Sequence, residues 1–310
     1  MQEYLLKYTM EHLGGFFHDV LTTFVDWTLT TWLGPFLESC LKTGTSAYNN
    51  MLNSALDIMT KSPEEWNADG WSFIVNTVNE TFVIFASALI VVFFLIGFCA
   101  ESIDVRREMN IKAMIKSFIK LGIAEYFVVN SINIVTGLFG LIDDLTSFRN
   151  KQEFQGKFTF DVSIDVTTDD LLTIGNGPAL LAVVVSFVCM VALIISGAII
   201  TYTAYMRFFK ILILIPYGAI ASATMAGNHM VSNTAVSFWK YAIGTVLEGV
   251  TMILALCLFG IIDGGGGLSF VALTGDFEII GKLIDKTLLA LLCLGTVKGS
   301  GALIQKALSL

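Results

Sequence analysis

The chain reads as an all-α polytopic membrane protein with about five transmembrane helices and one re-entrant Pro/Gly hairpin. Three observations lead there. First, 55% of the residues are hydrophobic and only 14% are charged, where a soluble domain carries about 25% charged residues. Second, uncharged apolar runs recur: Thr81 to Ala100, and Pro178 to Ile200 inside a stretch that has no charge between Asp170 and Arg207. At ~1.5 Å per residue each can cross the ~30 Å hydrocarbon core. Third, Ile211 to Ala226 is equally uncharged but only about 16 residues long, short for a straight span, and it contains Pro216 and Gly218. Pro216 removes an intrahelical donor and crowds the preceding turn, so this stretch is expected to enter the membrane, turn among Gly218, Ala219, Ala221, Ser222 and Ala223, and leave on the same side.

In chain order, residues 1–80 form an extracytoplasmic, interfacial region of amphipathic helices. Phe17, Val20, Leu21, Phe24, Trp27 and Leu29 alternate at helical period with His18, Asp19, Thr22, Thr23, Asp26 and Thr30. Trp27 and Trp32 suit the headgroup level. Gly34-Pro35 is expected to stop this helix; a weaker amphipathic stretch, Leu37 to Met59, precedes a loop at Ser62-Pro63-Glu64-Glu65.

Residues 81–142 hold the first two spans. Between them Arg106, Arg107, Lys112, Lys116 and Lys120 form a basic segment whose lysines fall at i, i+4 and i+8, with Met114, Ile115, Phe118 and Ile119 on the other face. Such a helix suits an anionic inner leaflet through the positive-inside rule, or a cytoplasmic docking partner. The second span, Leu121 to Ile142, contains Glu125, Asn130 and Asn133, which either line a conduit or join helices by hydrogen bonds.

Residues 143–177 make an acidic extracytoplasmic loop. Within it Phe158, Phe160, Val162, Ile164 and Val166 alternate with Thr159, Asp161, Ser163, Asp165 and Thr167, the period of a half-buried strand, so a small β element is expected, paired within its loop or by another protein. The C-terminal membrane domain, 178–310, follows with the hairpin at 211–226. Its next span, Tyr241 to Ile262, carries Glu248; the last, Ile279 to Val297, has Lys282, Asp285 and Lys286 in its outer half, where they snorkel or pair.

With a re-entrant hairpin the N-terminus is outside and the C-terminus cytoplasmic. The inner segments then hold Arg106, Arg107, Lys112, Lys116, Lys120, Arg207, Lys210, Lys240, Lys298 and Lys306, ten of the 18 basic residues on about 55 residues. The outer segments hold 21 of the 26 acidic residues, which favours this orientation in a cell membrane.

The run Tyr205-Met206-Arg207-Phe208-Phe209-Lys210-Ile211 through Pro216-Tyr217-Gly218-Ala219-Ile220-Ala221, with Ser237-Phe238-Trp239-Lys240 leading into Leu247-Glu248-Gly249, resembles the TrbL-like (VirB-six-like) polytopic subunit of type IV secretion systems, in forms seen in Gram-positive mobile elements. The likeness covers about Thr81 to Leu310. It implies a non-enzymatic membrane component of a conjugation machine that moves a DNA-protein substrate, works with a traffic ATPase and other type IV secretion subunits, and forms a homo-oligomer. It brings no catalytic residue, cofactor or metal. Whether the substrate touches this subunit is left open.

The residues expected to matter are therefore contacts: Arg207 and Lys210 to anchor the hairpin at the inner surface, Pro216 and Gly218 to set its turn, and Glu125, Asn130, Asn133 and Glu248 as intramembrane polar groups facing helices or a pore. A small-solute secondary transporter is the alternative, since Pro216 supplies one broken helix and Glu125 and Glu248 supply charges, but no second broken segment stands at a matching position. A net charge of −8, with no basic tail and no aromatic-basic interleaving, argues against a nucleic-acid-binding surface as the main activity. His12, His18 and His229 have no metal or catalytic spacing. Of the five cysteines, four lie far apart in apolar runs and read as small apolar side chains; only Cys40 is in a polar segment. No basic region leads into a cleavable apolar segment at the N-terminus, so insertion is expected to rest on the spans themselves.

Overall fold

The computed structural model describes residue 15 and residues 19–103, 111–146, 160, 162–174, 176–264 and 268–307. Helix α1 (19–28) passes into α2 (Gly34–Thr60) through a π-helical turn, Leu29–Leu33, where the Gly34 N–H donates to the Leu29 carbonyl. The expected stop at Gly34-Pro35 is thus not made. The wider turn absorbs one residue, and Pro35 falls in the first turn of α2, where a missing N–H costs little.

The short α3 (Pro63–Trp66) starts with a complete capping box: the Ser62 hydroxyl accepts from the Glu65 N–H, and the Glu65 carboxylate from the Ser62 N–H. After α4 (Ala68–Ser72) and a second π-helical turn, Phe73–Val78, comes α5 (Asn79–Ile103). Helices α6 (Ile111–Val129) and α7 (Ser131–Thr146) meet at Asn130 with a 63° bend. Then follow α8 (Thr168–Leu172), α9 (Asn176–Ala223), a 3₁₀ turn at Thr224–Ala226, α10 (His229–Gly264), and α11 (Glu278–Ala307).

Among the described residues, four helices are long and apolar enough to cross a membrane, or up to five if α6 and α7 form one bent span. The second span expected over Leu121 to Ile142 falls on this bent pair. The chain is an all-α polytopic membrane protein.

The turn expected among Gly218, Ala219, Ala221, Ser222 and Ala223 is not made. Helix α9 runs unbroken for 48 residues with Pro216 inside it, and the chain reverses only after Ala223. Proline is tolerated within a helix when neighbouring helices bury the segment around the freed carbonyl. Here Ile215 and Ala219 are fully buried on either side of Pro216. At ~1.5 Å per residue α9 is about 72 Å long, over twice the hydrocarbon thickness.

The chain divides into two compact units. The first draws on described residues of 1–52, 159–199 and 261–294. Its core joins Leu29, Leu37 and Leu41 with Val166, Leu171, Ala182 and Val183, and with Ile280 and Leu283 of α11. Gly34 sits where a Cβ would overlap the Thr168 side chain.

No strand forms among the described residues, so the expected β element is corrected to an extended segment. Its alternation is real: Phe160, Val162 and Val166 are buried, while Ser163 and Asp165 are exposed. What replaces a ladder is one side chain. The Asn49 amide on α2 donates to the Val162 carbonyl at 3.1 Å and accepts the Val162 N–H at 3.0 Å. Asp285 likewise accepts the N–H groups of Phe270 and Val271. Lys286 pairs with Asp263 at 2.5 Å and Lys282 with Glu278 at 2.9 Å, so the charges of the last span are paired.

Glu38 accepts two hydrogen bonds from Thr168, from its hydroxyl at 2.6 Å and its N–H at 2.7 Å. These bonds, the hydroxyl's first, hold the Glu38 carboxyl below its ordinary value of 4.5. The contact therefore stabilises the fold above that value and is lost as pH falls through the lower folded-state value. Thermal unfolding of wild type and Glu38→Gln in detergent at stepped pH is expected to show a Tm gap at neutral pH that closes on acidification; a gap that widens in acid would contradict the assignment.

The second unit draws on described residues of 53–158, 200–260 and 295–310. Ala86 and Ile90 of α5, Ala124 and Val128 of α6, and Ala219, Ala223 and Ala226 share one small-residue core. Val135, Leu212 and Ile215 form another with Trp66, Trp71 and Trp239 against it. Within this unit α5 and the later half of α9 run side by side in the same direction. The Trp66 ring, ahead of α5, stacks on Phe208 at 5.1 Å; Phe82 meets Tyr217 edge-on at 5.5 Å; and an added Cβ at Gly97 would stand 3.1 Å from the backbone of Gly227 and Asn228. Ile84, Phe85, Val91 and Leu95 of α5 are exposed, as lipid-facing side chains are.

Candidate functional site

Among the described residues Arg207 is the one buried cation of the second unit, 3% exposed on a helix whose neighbouring turns are apolar. A guanidinium in such a place needs room and a counter-charge. Room comes from α10: the guanidinium lies on Gly249, where any Cβ would overlap it. Counter-charge is at hand in the carboxylate of Glu248, the residue before Gly249 on α10. One turn along α9, the Lys210 ammonium stands 4.0 Å from the Glu248 carboxylate; the side chains are 45% and 14% exposed. On the far side, α11 approaches through Gly301, where an added Cβ would come within 2.8 Å of the Glu248 carboxylate.

Three helices thus meet at two cations, one carboxylate and two glycines. Each glycine sits where a charged group would collide with a methyl. Trp66 of α3 packs on the same stretch of α9, its ring against Tyr205, Phe208 and Phe209. The guanidinium Nε of Arg207 has no hydrogen-bond partner among the described residues.

Arg207 and Lys210, expected together as anchors at the inner surface, are joined here by Glu248, expected as an intramembrane polar group. Pro216 and Gly218 are not part of the cluster and set no turn. Both are buried two to three turns further along α9, with Gly218 3.6 Å from the Phe238 ring and 3.7 Å from the Ser131 side chain, measured from an added Cβ. Glu125 is exposed on α6. Asn130 and Asn133 bond locally at the α6–α7 bend: the Asn130 amide donates to the Tyr126 carbonyl, and the Asn133 amide to the Asn130 side chain. On the basic segment Lys116 is exposed and Lys120 half-buried, whereas Arg106, Arg107 and the Lys112 side chain lie outside the described residues. Gly249 and Gly301 were not read as site residues. The adjacency of Glu248 and Gly249 was the available signal, because a glycine beside an intramembrane charge leaves space for a partner.

Residues 48–219, more than half of the chain and including Trp66, Arg207 and Lys210, match the family model described as TrbL/VirB6 plasmid conjugal transfer like protein. The chain belongs to the TrbL/VirB6-like family. No curated protein and no solved structure matches it. The TrbL/VirB6-like chain is accordingly a multi-pass membrane component of a conjugal transfer system. The matched segment ends at Ala219, so Glu248, Gly249 and Gly301, which complete the cluster, lie beyond it.

Proposed function

We propose that this chain is a structural channel or platform subunit of a type IV secretion machine, one that helps carry a DNA-protein substrate across the cell membrane. It acts beside a traffic ATPase and in several copies, with its N-terminal region outside and the Arg106–Lys120 segment in the cytoplasm. The observation that carries this reading is the state of the charge cluster. Arg207 and Glu248 are closed in by glycines of neighbouring helices, so their charges are engaged in locking α9, α10 and α11 together. A solute transporter instead keeps its midplane charges at a broken helix and open to substrate. Exposed apolar faces along α5 and α9 suit lipid or neighbouring subunits.

Mass spectrometry of proteins that co-purify from gently cross-linked native membranes tests it. Recovery of a traffic ATPase with other small membrane subunits is expected. A homogeneous monomer or dimer without them, together with saturable solute uptake lost in Glu248→Gln, would move the assignment to a transporter.

A further inference from the structure

We propose that the Arg207–Lys210 turn of α9 binds the phosphate of an anionic phospholipid, with Lys210 as its direct contact. The charge balance comes first. Two cations face one carboxylate, and the Lys210 ammonium, 4.0 Å from Glu248, is beyond hydrogen-bond reach of it. Lys210 makes no side-chain hydrogen bond among the described residues, and its side chain is nearly half exposed. Behind it the buried Arg207 has a donor, Nε, that no acceptor among the described residues meets. The cluster therefore carries an uncompensated positive charge with one flexible donor at the surface.

Depth comes next. Trp66 of α3 packs at 5.9 Å against Tyr205, just before this turn of α9, and Tyr202 and Tyr205 are exposed. Tryptophan and tyrosine collect where hydrocarbon gives way to headgroups. At that level the abundant acceptor is a lipid phosphodiester, and a lysine binds it as a point charge. From Lys210 an exposed stripe, Phe209, Ile213 and Tyr217, runs along α9 at i, i+4 and i+8. It offers an acyl chain an apolar track leading away from the phosphate. A zwitterionic lipid brings its own ammonium to the same place and is disfavoured by the cluster's net charge, which gives the preference for an anionic lipid.

This inference does not depend on the role in secretion. Its test is native mass spectrometry of the purified full chain released from micelles doped with equal parts phosphatidylglycerol and phosphatidylcholine. Wild type is expected to retain phosphatidylglycerol preferentially. Lys210→Gln should lower that occupancy by about tenfold, the effect of losing one charge-assisted hydrogen bond, while Lys210→Arg keeps it and Lys306→Gln leaves it unchanged. Circular dichroism of each variant checks that the helices persist. Excess inorganic phosphate should not displace the lipid, because it gains nothing from the Phe209–Ile213–Tyr217 track. Equal retention of the two lipids by wild type, unchanged retention in Lys210→Gln, or displacement by phosphate alone would each overturn the proposal.

Discussion

Gly249→Ala is expected to be the most damaging single methyl that can be added to this chain. The new Cβ would occupy the space of the Arg207 guanidinium. The cation has nowhere equivalent to go, because it is buried and already held between α9 and α10. Overpacking of this kind costs about 1–3 kcal/mol. The control makes the expectation sharp. Gly295 and Gly299 lie on helix α11 with nothing within 4 Å of an added Cβ, and in a helix alanine is favoured over glycine by up to ~1 kcal/mol. Thermal denaturation in detergent should therefore show Gly249→Ala lowering Tm, with Gly295→Ala and Gly299→Ala neutral or raising it. Equal behaviour of the three would mean that the guanidinium does not rest on Gly249.

The second large effect concerns the charges themselves. Arg207→Met leaves Glu248 partly buried with only the distant Lys210 ammonium to balance it. Removing one partner from a buried charge group costs about 3–5 kcal/mol, whereas removing both is far milder. A double-mutant cycle with Arg207→Met and Glu248→Gln is expected to be non-additive, the double variant regaining about 1–3 kcal/mol over the sum of the singles. Equilibrium unfolding in mixed micelles reads it. Strict additivity would show that the two residues do not share a site.

What could be read from the sequence was whatever local chemistry decides. The apolar runs at Thr81 to Ala100 and Pro178 to Ile200 fall inside long membrane-type helices. Ser62-Pro63-Glu64-Glu65 was legible as a break, and it holds a capping box whose signals all lie within four residues. Pro216 misled for the complementary reason. Its local rule says break, but the segment is held helical by burial of Ile215, Ala219 and Ala223 against residues distant in sequence. Over the described residues 160 and 162–166 the alternation signalled half-burial correctly and strand pairing wrongly, since the buried side faces helices and one asparagine side chain serves where a strand would. The charge cluster was the least legible part. Arg207, Glu248 and Gly301 lie on three helices, and no spacing rule connects residues so far apart.

The Asn49 amide has a further consequence, for how the loop tolerates changes of length. It grips both the N–H and the carbonyl of a single residue, Val162, and so works as a register pin. Side chains in an extended segment alternate with period two, so deleting one residue between Val162 and Val166 would turn the downstream apolar positions outward while the pin held the upstream end. Deletion of two would restore the phase. Natural variation in this loop should therefore come in even steps between 162 and 166, and in any length before the pin.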